Sequence, residues 1–101
     1  MTEYISGAIT TVSSASAYSL DIETLLGSTA GQGYIESYSA AISFTVDGGD
    51  AIYITPIVTV GAATYPKESR FEFKEGAGWR ISTIEITGTT ANVNTVYYYF
   101  Q

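Results

Sequence analysis

The side chains capable of ionic chemistry are few, and the cations among them are crowded into one window. Lys67, Arg70, Lys74 and Arg80 are the only basic residues of the chain. Residues 1 to 66 carry only Glu3, Asp21, Glu23, Glu36, Asp47 and Asp50, and beyond Arg80 the one charge is Glu85. Histidine and cysteine are absent. That removes the usual general base, the imidazole ligand, the thiolate nucleophile or zinc ligand, and any disulfide. A net charge of −6 also argues against a sequence-independent nucleic-acid binder, which must neutralise phosphates with Lys and Arg.

Each remaining constellation has a simpler structural reading. Asp47 and Asp50 flank two glycines, and hard cations such as calcium want several oxygen ligands. Two carboxylates are too few unless other loops contribute, whereas Asp and Gly are the ordinary residues of a tight turn. Asp21 and Glu23 have the types of a glycosidase acid/base pair, but nothing fixes a partner carboxylate, and Asp21 suits a helix N-cap. Serine nucleophiles have no histidine to activate them. The run Gly27-Ser28-Thr29-Ala30-Gly31-Gln32-Gly33 has glycines like a phosphate cradle, yet it lacks the lysine and leads into a strand, so it reads as a mobile loop. No catalytic residue, cofactor or metal is expected, with a calcium ion near Asp47/Asp50 left open.

Binding surfaces are more promising. Lys67, Glu68, Arg70, Glu72, Lys74, Glu75 and Arg80 form a strip of mixed sign. On an extended strand, Arg70, Glu72 and Lys74 share the outward face while Phe71 and Phe73 point inward. Such a row either guards a sheet edge or docks against an acidic protein surface, including another copy of this chain. Tyr97, Tyr98, Tyr99 and Phe100 are consecutive, so Tyr97 and Tyr99 share one face and Tyr98 and Phe100 the other. One pair can be core. The other is free for a protein interface, where tyrosine offers large area with a polar tip, or for stacking on a sugar. The candidate interface is therefore Lys67, Arg70, Glu72, Lys74, Arg80, Tyr97 and Tyr99.

The elements that must position these residues are strands. Period-two alternation dominates. From Gly33 to Val46 one face reads Tyr34, Glu36, Tyr38, Ala40, Ile42, Phe44 and Val46, the expected core, with Glu36 near the end where it reaches water. Asp47-Gly48-Gly49-Asp50 turns the chain into a return run over 51–60, with Ile52, Ile54, Val58 and Val60 on one side, giving a long hairpin; Pro56 belongs on an edge or at a bulge. Tyr4 to Ser13 and Tyr18 to Ile22 are earlier strands. Asp21 to Gly27 forms one short helical turn. Residues 61–66 form a loop, Ser69 to Lys74 a strand, and Trp79 to Thr87 a strand whose phase shift suggests a bulge near Ser82-Thr83. A turn over 88–92 leads to the last strand, 93–100.

Seven or eight short strands, with at most one helical turn, indicate an all-β antiparallel sandwich, jelly-roll-like, as a single domain over 1–101. No run approaches the roughly 18 apolar residues of a membrane span. Met1-Thr2-Glu3-Tyr4 lacks the positive start of a signal peptide, although the Ser, Thr, Gly and Tyr content with few Lys looks external. Proteins made in the host cytoplasm and carried on a virion meet both conditions.

The segment Gly78-Trp79-Arg80-Ile81-Ser82-Thr83-Ile84-Glu85-Ile86, a short polar turn, and Val93-Asn94-Thr95-Val96-Tyr97-Tyr98-Tyr99 carry one family likeness. This layout resembles the last hairpin of small β-sandwich virion structural proteins of bacteriophages, of the decoration, head-fibre or minor capsid type. The resemblance implies a structural role without catalytic residues. The expected function is thus non-enzymatic assembly through contacts with copies of itself and a capsid or tail protein, with no nucleic acid and no membrane. A carbohydrate-binding module using exposed Tyr or Trp79 is the alternative.

Overall fold

The chain reverses at its midpoint, and the two halves pair along their lengths. The computed structural model describes residues 3–38, 41–66, 69–89 and 94–101, and their side chains apart from those of residues 11, 57–60, 63–66 and 94. In chain order the elements are β1 (Ile5–Val12), β2 (Tyr18–Asp21), α1 (Ile22–Leu26), β3 (Gly33–Ser37), β4 (Ile42–Val46), β5 (Ile52–Ile54), β6 (Ile57–Val60), β7 (Ala63–Pro66), β8 (Arg70–Phe73), β9 (Thr83–Gly88) and β10 (Asn94–Phe100).

The pairing is nested around Asp47–Asp50. β4 pairs with β5, β3 with β8, β2 with β9 and β1 with β10, all antiparallel. Two lateral pairings, β10 with β3 and β9 with β4, roll this long ribbon into two four-stranded sheets, β1-β10-β3-β8 and β2-β9-β4-β5. This is the jelly-roll form of the sandwich. The β6–β7 ribbon is an insertion between β5 and β8.

The core lies between the sheets. Leu20, Ile84, Ile86, Ile42, Phe44 and Ile54 of one sheet face Ile9, Val96, Phe100, Ile35 and Phe73 of the other, all nearly or fully buried. Phe73 is central, with ring contacts to Phe44, Phe71, Trp79 and Phe100 at centroid distances of 4.8–5.9 Å. A buried ring contributes roughly 1.5–3 kcal/mol from transfer out of water, and edge-to-face pairs add to that. Inward-facing Tyr98 lies beneath β1. A Cβ on Gly7 would sit 2.9 Å from the Tyr98 hydroxyl, so glycine is what lets that ring pass.

Several expectations about the strands are corrected. The run from Gly33 to Val46 is two strands in different sheets. Its phase inverts at the crossover, so Ile35 and Ser37 are buried while Tyr34 and Tyr38 face outward, and Ile42 and Phe44 point back into the core. Ser39 and Ala40 lie outside the described residues. The long hairpin is accordingly a short one: β5 stops at Ile54 before Thr55-Pro56, because proline has no N–H for the ladder. Residues 63–66 form a strand rather than a loop; the side chains of Val58 and Val60 lie outside the described ones. The last two strands do not form a hairpin, since β9 and β10 belong to different sheets; of the turn expected over 88–92, residues 90–92 lie outside the described ones.

Local chemistry explains the remaining geometry. Asp21 caps α1 by accepting from the Thr24 N–H and hydroxyl, and Gly27 ends it at φ 88°. The Gly27–Gly33 loop is pinned rather than mobile: Ala30 is buried and exchanges backbone hydrogen bonds with Ile81, and Gly31 and Gln32 donate to the Gln101 carbonyl. The phase shift near Ser82 is therefore a break between this bridge and β9, not a bulge within one strand. Asp47 adopts φ 50°, and its carboxylate accepts from the Ser82 and Thr83 N–H groups at 2.8–3.3 Å. Glu23 accepts from the Ser82 hydroxyl at 2.7 Å.

Two measurements check this account. Asp47→Gly keeps the backbone conformation and removes the carboxylate; a loss of about 1–3 kcal/mol in urea unfolding is expected, with Asp47→Asn losing less. A glycine variant as stable as the parent would remove Asp47 from any clamping role. Second, burial pushes the Tyr98 phenol above its ordinary value, and the Tyr18 phenol adds to the shift. The fold thus favours neutral Tyr98, whose stabilisation is full below about pH 10 and is lost as pH rises through the raised value. Unfolding free energy should fall above about pH 10 less steeply in Tyr98→Phe than in the parent; equal slopes would contradict the assignment.

Candidate interaction surface

The outward face of the β1-β10-β3-β8 sheet collects tyrosines from separate parts of the chain. Tyr99 stands opposite Tyr34 across one ladder and opposite Ser6 across the other, and Tyr97 stands between Glu36 and Ala8. Tyr4, Tyr99 and Tyr34 form a stacked row with centroids 5.7 Å apart and interplanar angles of 24° and 14°. Tyr38 and Tyr97 form a second pair, at 6.1 Å and tilted by 59°. Tyr4, Tyr38 and Tyr97 are exposed, and the Tyr99 hydroxyl donates to the Gln101 side chain.

Arg70 closes the row on the β8 side. Its guanidinium lies 4.2 Å from the centre of the Tyr34 ring, binds Glu36 directly and reaches Glu72 at 3.5 Å. Glu36 is only 5 % exposed, so a negative charge is held nearly out of water on the outward face, a placement that requires a paired cation. A planar guanidinium satisfies the carboxylate and stacks on the ring at once, which lysine cannot do. Tyr34, Glu36, Tyr38 and Tyr97 line a shallow depression beside it.

The structure brings together most of the residues expected from sequence. Arg70, Glu72, Tyr97 and Tyr99 share this face, and Lys74 borders a neighbouring depression with Tyr34, Glu72 and Tyr99. Arg80 is exposed on the connection into β9, and among the described residues no contact ties it to the tyrosines. Lys67 and Glu68 lie outside the described residues. Tyr4, Tyr34 and Tyr38 were not expected here. The signal for Tyr34 and Tyr38 is Glu36: a carboxylate alternating with two tyrosines marks an outward face, while Ile35 marks the inward one; Tyr4 has no such signal.

Asp21 caps a helix, Glu23 accepts from the Ser82 hydroxyl, and Asp47 accepts from the Ser82 and Thr83 N–H groups; among the described residues no group of three or more potential ligands gathers. Trp79 is half-buried with its ring edge-to-face on Phe73 at 4.8 Å. No protein family, curated protein or solved structure matches the chain.

Removing Arg70 should leave Glu36 uncompensated. Arg70→Met is expected to cost about 1–3 kcal/mol, below the range for a fully buried pair because the Arg70 side chain is 44 % exposed. The double variant Glu36→Gln/Arg70→Met should recover part of that loss in denaturant titrations. A double variant no more stable than Arg70→Met alone would show that the charge pairing is not the source.

Proposed function

We propose that this protein is a non-enzymatic structural or assembly protein that works through protein–protein contacts on the tyrosine face. The setting that fits best is a virion surface, as a decoration, fibre or minor capsid protein. The observation carrying the contact role is the state of the rings. Tyr99 is stacked on both sides, by Tyr4 and Tyr34, and Tyr34 is covered by Tyr99 from the β10 side and by Arg70 from the β8 side. A sugar stacks on a free, flat ring face. Tyr99 and Tyr34 have used theirs on their neighbours, and the Tyr38–Tyr97 pair is tilted rather than coplanar. What they present outward is edges and hydroxyls, a rigid amphipathic surface suited to a protein partner. Trp79, the other candidate for sugar stacking, is packed against the core.

The virion setting rests on a Ser-, Thr-, Gly- and Tyr-rich chain with only four basic residues. The sandwich is the fold that the resemblance to phage virion proteins implies, although the terminal strands do not make the hairpin that prompted it. Fold alone does not determine function.

In its native source the chain should sediment with a large protein assembly, and Tyr38→Ser/Tyr97→Ser should weaken that association at least tenfold. A chain found only unassembled would overturn the proposal. A glycan-array response abolished by the same substitutions would transfer the face to carbohydrate binding. Arg70 is unsuited to a charge-reversal test because it is committed within its own molecule. Lys74→Glu should weaken association more at low salt than at high salt; equal weakening would exclude electrostatic docking by Lys74.

A further inference from the structure

The sandwich has four strand edges, and three of them are blunted. β8 carries Arg70 and Glu72, β2 is four residues long and runs straight into α1, and β5 is three residues long and ends before Thr55-Pro56. Short edges, charges and prolines are the ordinary defences against unwanted strand pairing. β1 has none. It is the longest strand described, eight residues, Ile5-Ser6-Gly7-Ala8-Ile9-Thr10-Thr11-Val12, without a charge or a proline. Among the described strands it pairs with β10 alone. Ser6, Gly7, Ala8 and Thr10 are exposed, and three of these have side chains small enough to let another backbone approach.

We infer that the free edge of β1 pairs, antiparallel about a twofold axis, with β1 of a second copy. The uncharged strand lets two molecules of net charge −6 meet where neither presents a carboxylate. The antiparallel sense follows from Glu3, which stands just before the strand. Antiparallel pairing puts the two Glu3 carboxylates at opposite ends, more than about 20 Å apart at roughly 3.4 Å per residue, beyond the screening length of about 8 Å. Parallel pairing would set them side by side. A twofold also uses one patch on both copies and closes, so association stops at two. The result is a continuous eight-stranded sheet whose outer face carries both tyrosine rows. The edge borders the tyrosine face, where Ser6 and Ala8 stand opposite Tyr99 and Tyr97, so the inference is separated from the role proposed for those rows by Thr10→Lys and by Tyr97→Ser.

The test is sedimentation equilibrium with amide hydrogen exchange on the purified chain over a concentration series. The expected result is a dimer, with β1 amides gaining protection as concentration rises while β5 and β8 amides do not. Ala8→Lys and Thr10→Lys, both exposed positions that leave the core untouched, should each raise the dimer dissociation constant at least tenfold. Tyr97→Ser should leave it unchanged. A chain that stays monomeric at about millimolar concentration would overturn the inference. So would a dimer indifferent to both lysine variants, or one lost with Tyr97→Ser and lacking β1 protection. The exchange measurement uses the parent chain, so it decides even where a lysine variant does not fold.

Discussion

Antiparallel pairing around the Asp47–Asp50 tip sets which strand meets which. Once the chain turns back there, β4 meets β5, and each earlier strand meets a later one in reverse order out to β1 and β10. A ribbon so long cannot stay flat, because strands twist and each has one apolar side to bury. Rolling it so that β10 lies beside β3 and β9 beside β4 brings both apolar sides together. The Asp47 carboxylate joins the tip to the start of β9, the strand beside β4 in the same sheet.

The outer face depends on that roll. Tyr99 reaches Tyr34 only because the last strand lies beside the third, and Arg70 reaches Glu36 only because β8 lies beside β3. The electrostatics are local: one guanidinium serves a shielded carboxylate, a second carboxylate and a ring. Of the described basic residues, Arg70 is committed within the molecule and Lys74 borders the tyrosines.

Fold class was legible in the sequence because alternation, turn residues and the lack of helical periodicity agreed. Asp21 and Gly27 announced their helix ends through capping chemistry. Alternation puts Phe71 and Phe73 inward and Tyr97 with Tyr99 on one face, as observed, because each pair lies within one uninterrupted strand. The errors arose where a strand changes sheet. Alternation is read along the chain, and a crossover resets its phase without marking the residues, so alternation alone puts Tyr34 and Tyr38 inward. Pairing partners were equally hidden: two strands adjacent in sequence suggest a hairpin, whereas β9 and β10 each pair with strands far back in the chain. The Gly27–Gly33 loop looked mobile because its ties, to Ile81 and Gln101, are backbone hydrogen bonds that no side chain announces.

The tyrosine face is built from β1, β3, β8 and β10, so its contributors lie as far apart in the chain as Tyr4 and Tyr99. No local segment, and no partly folded form lacking the closing strands, contains it. A partner that recognises this face selects for molecules that have completed folding, and by mass action stabilises them against unfolding. Quality control is then a property of the topology: an assembly that reads this surface admits only finished copies.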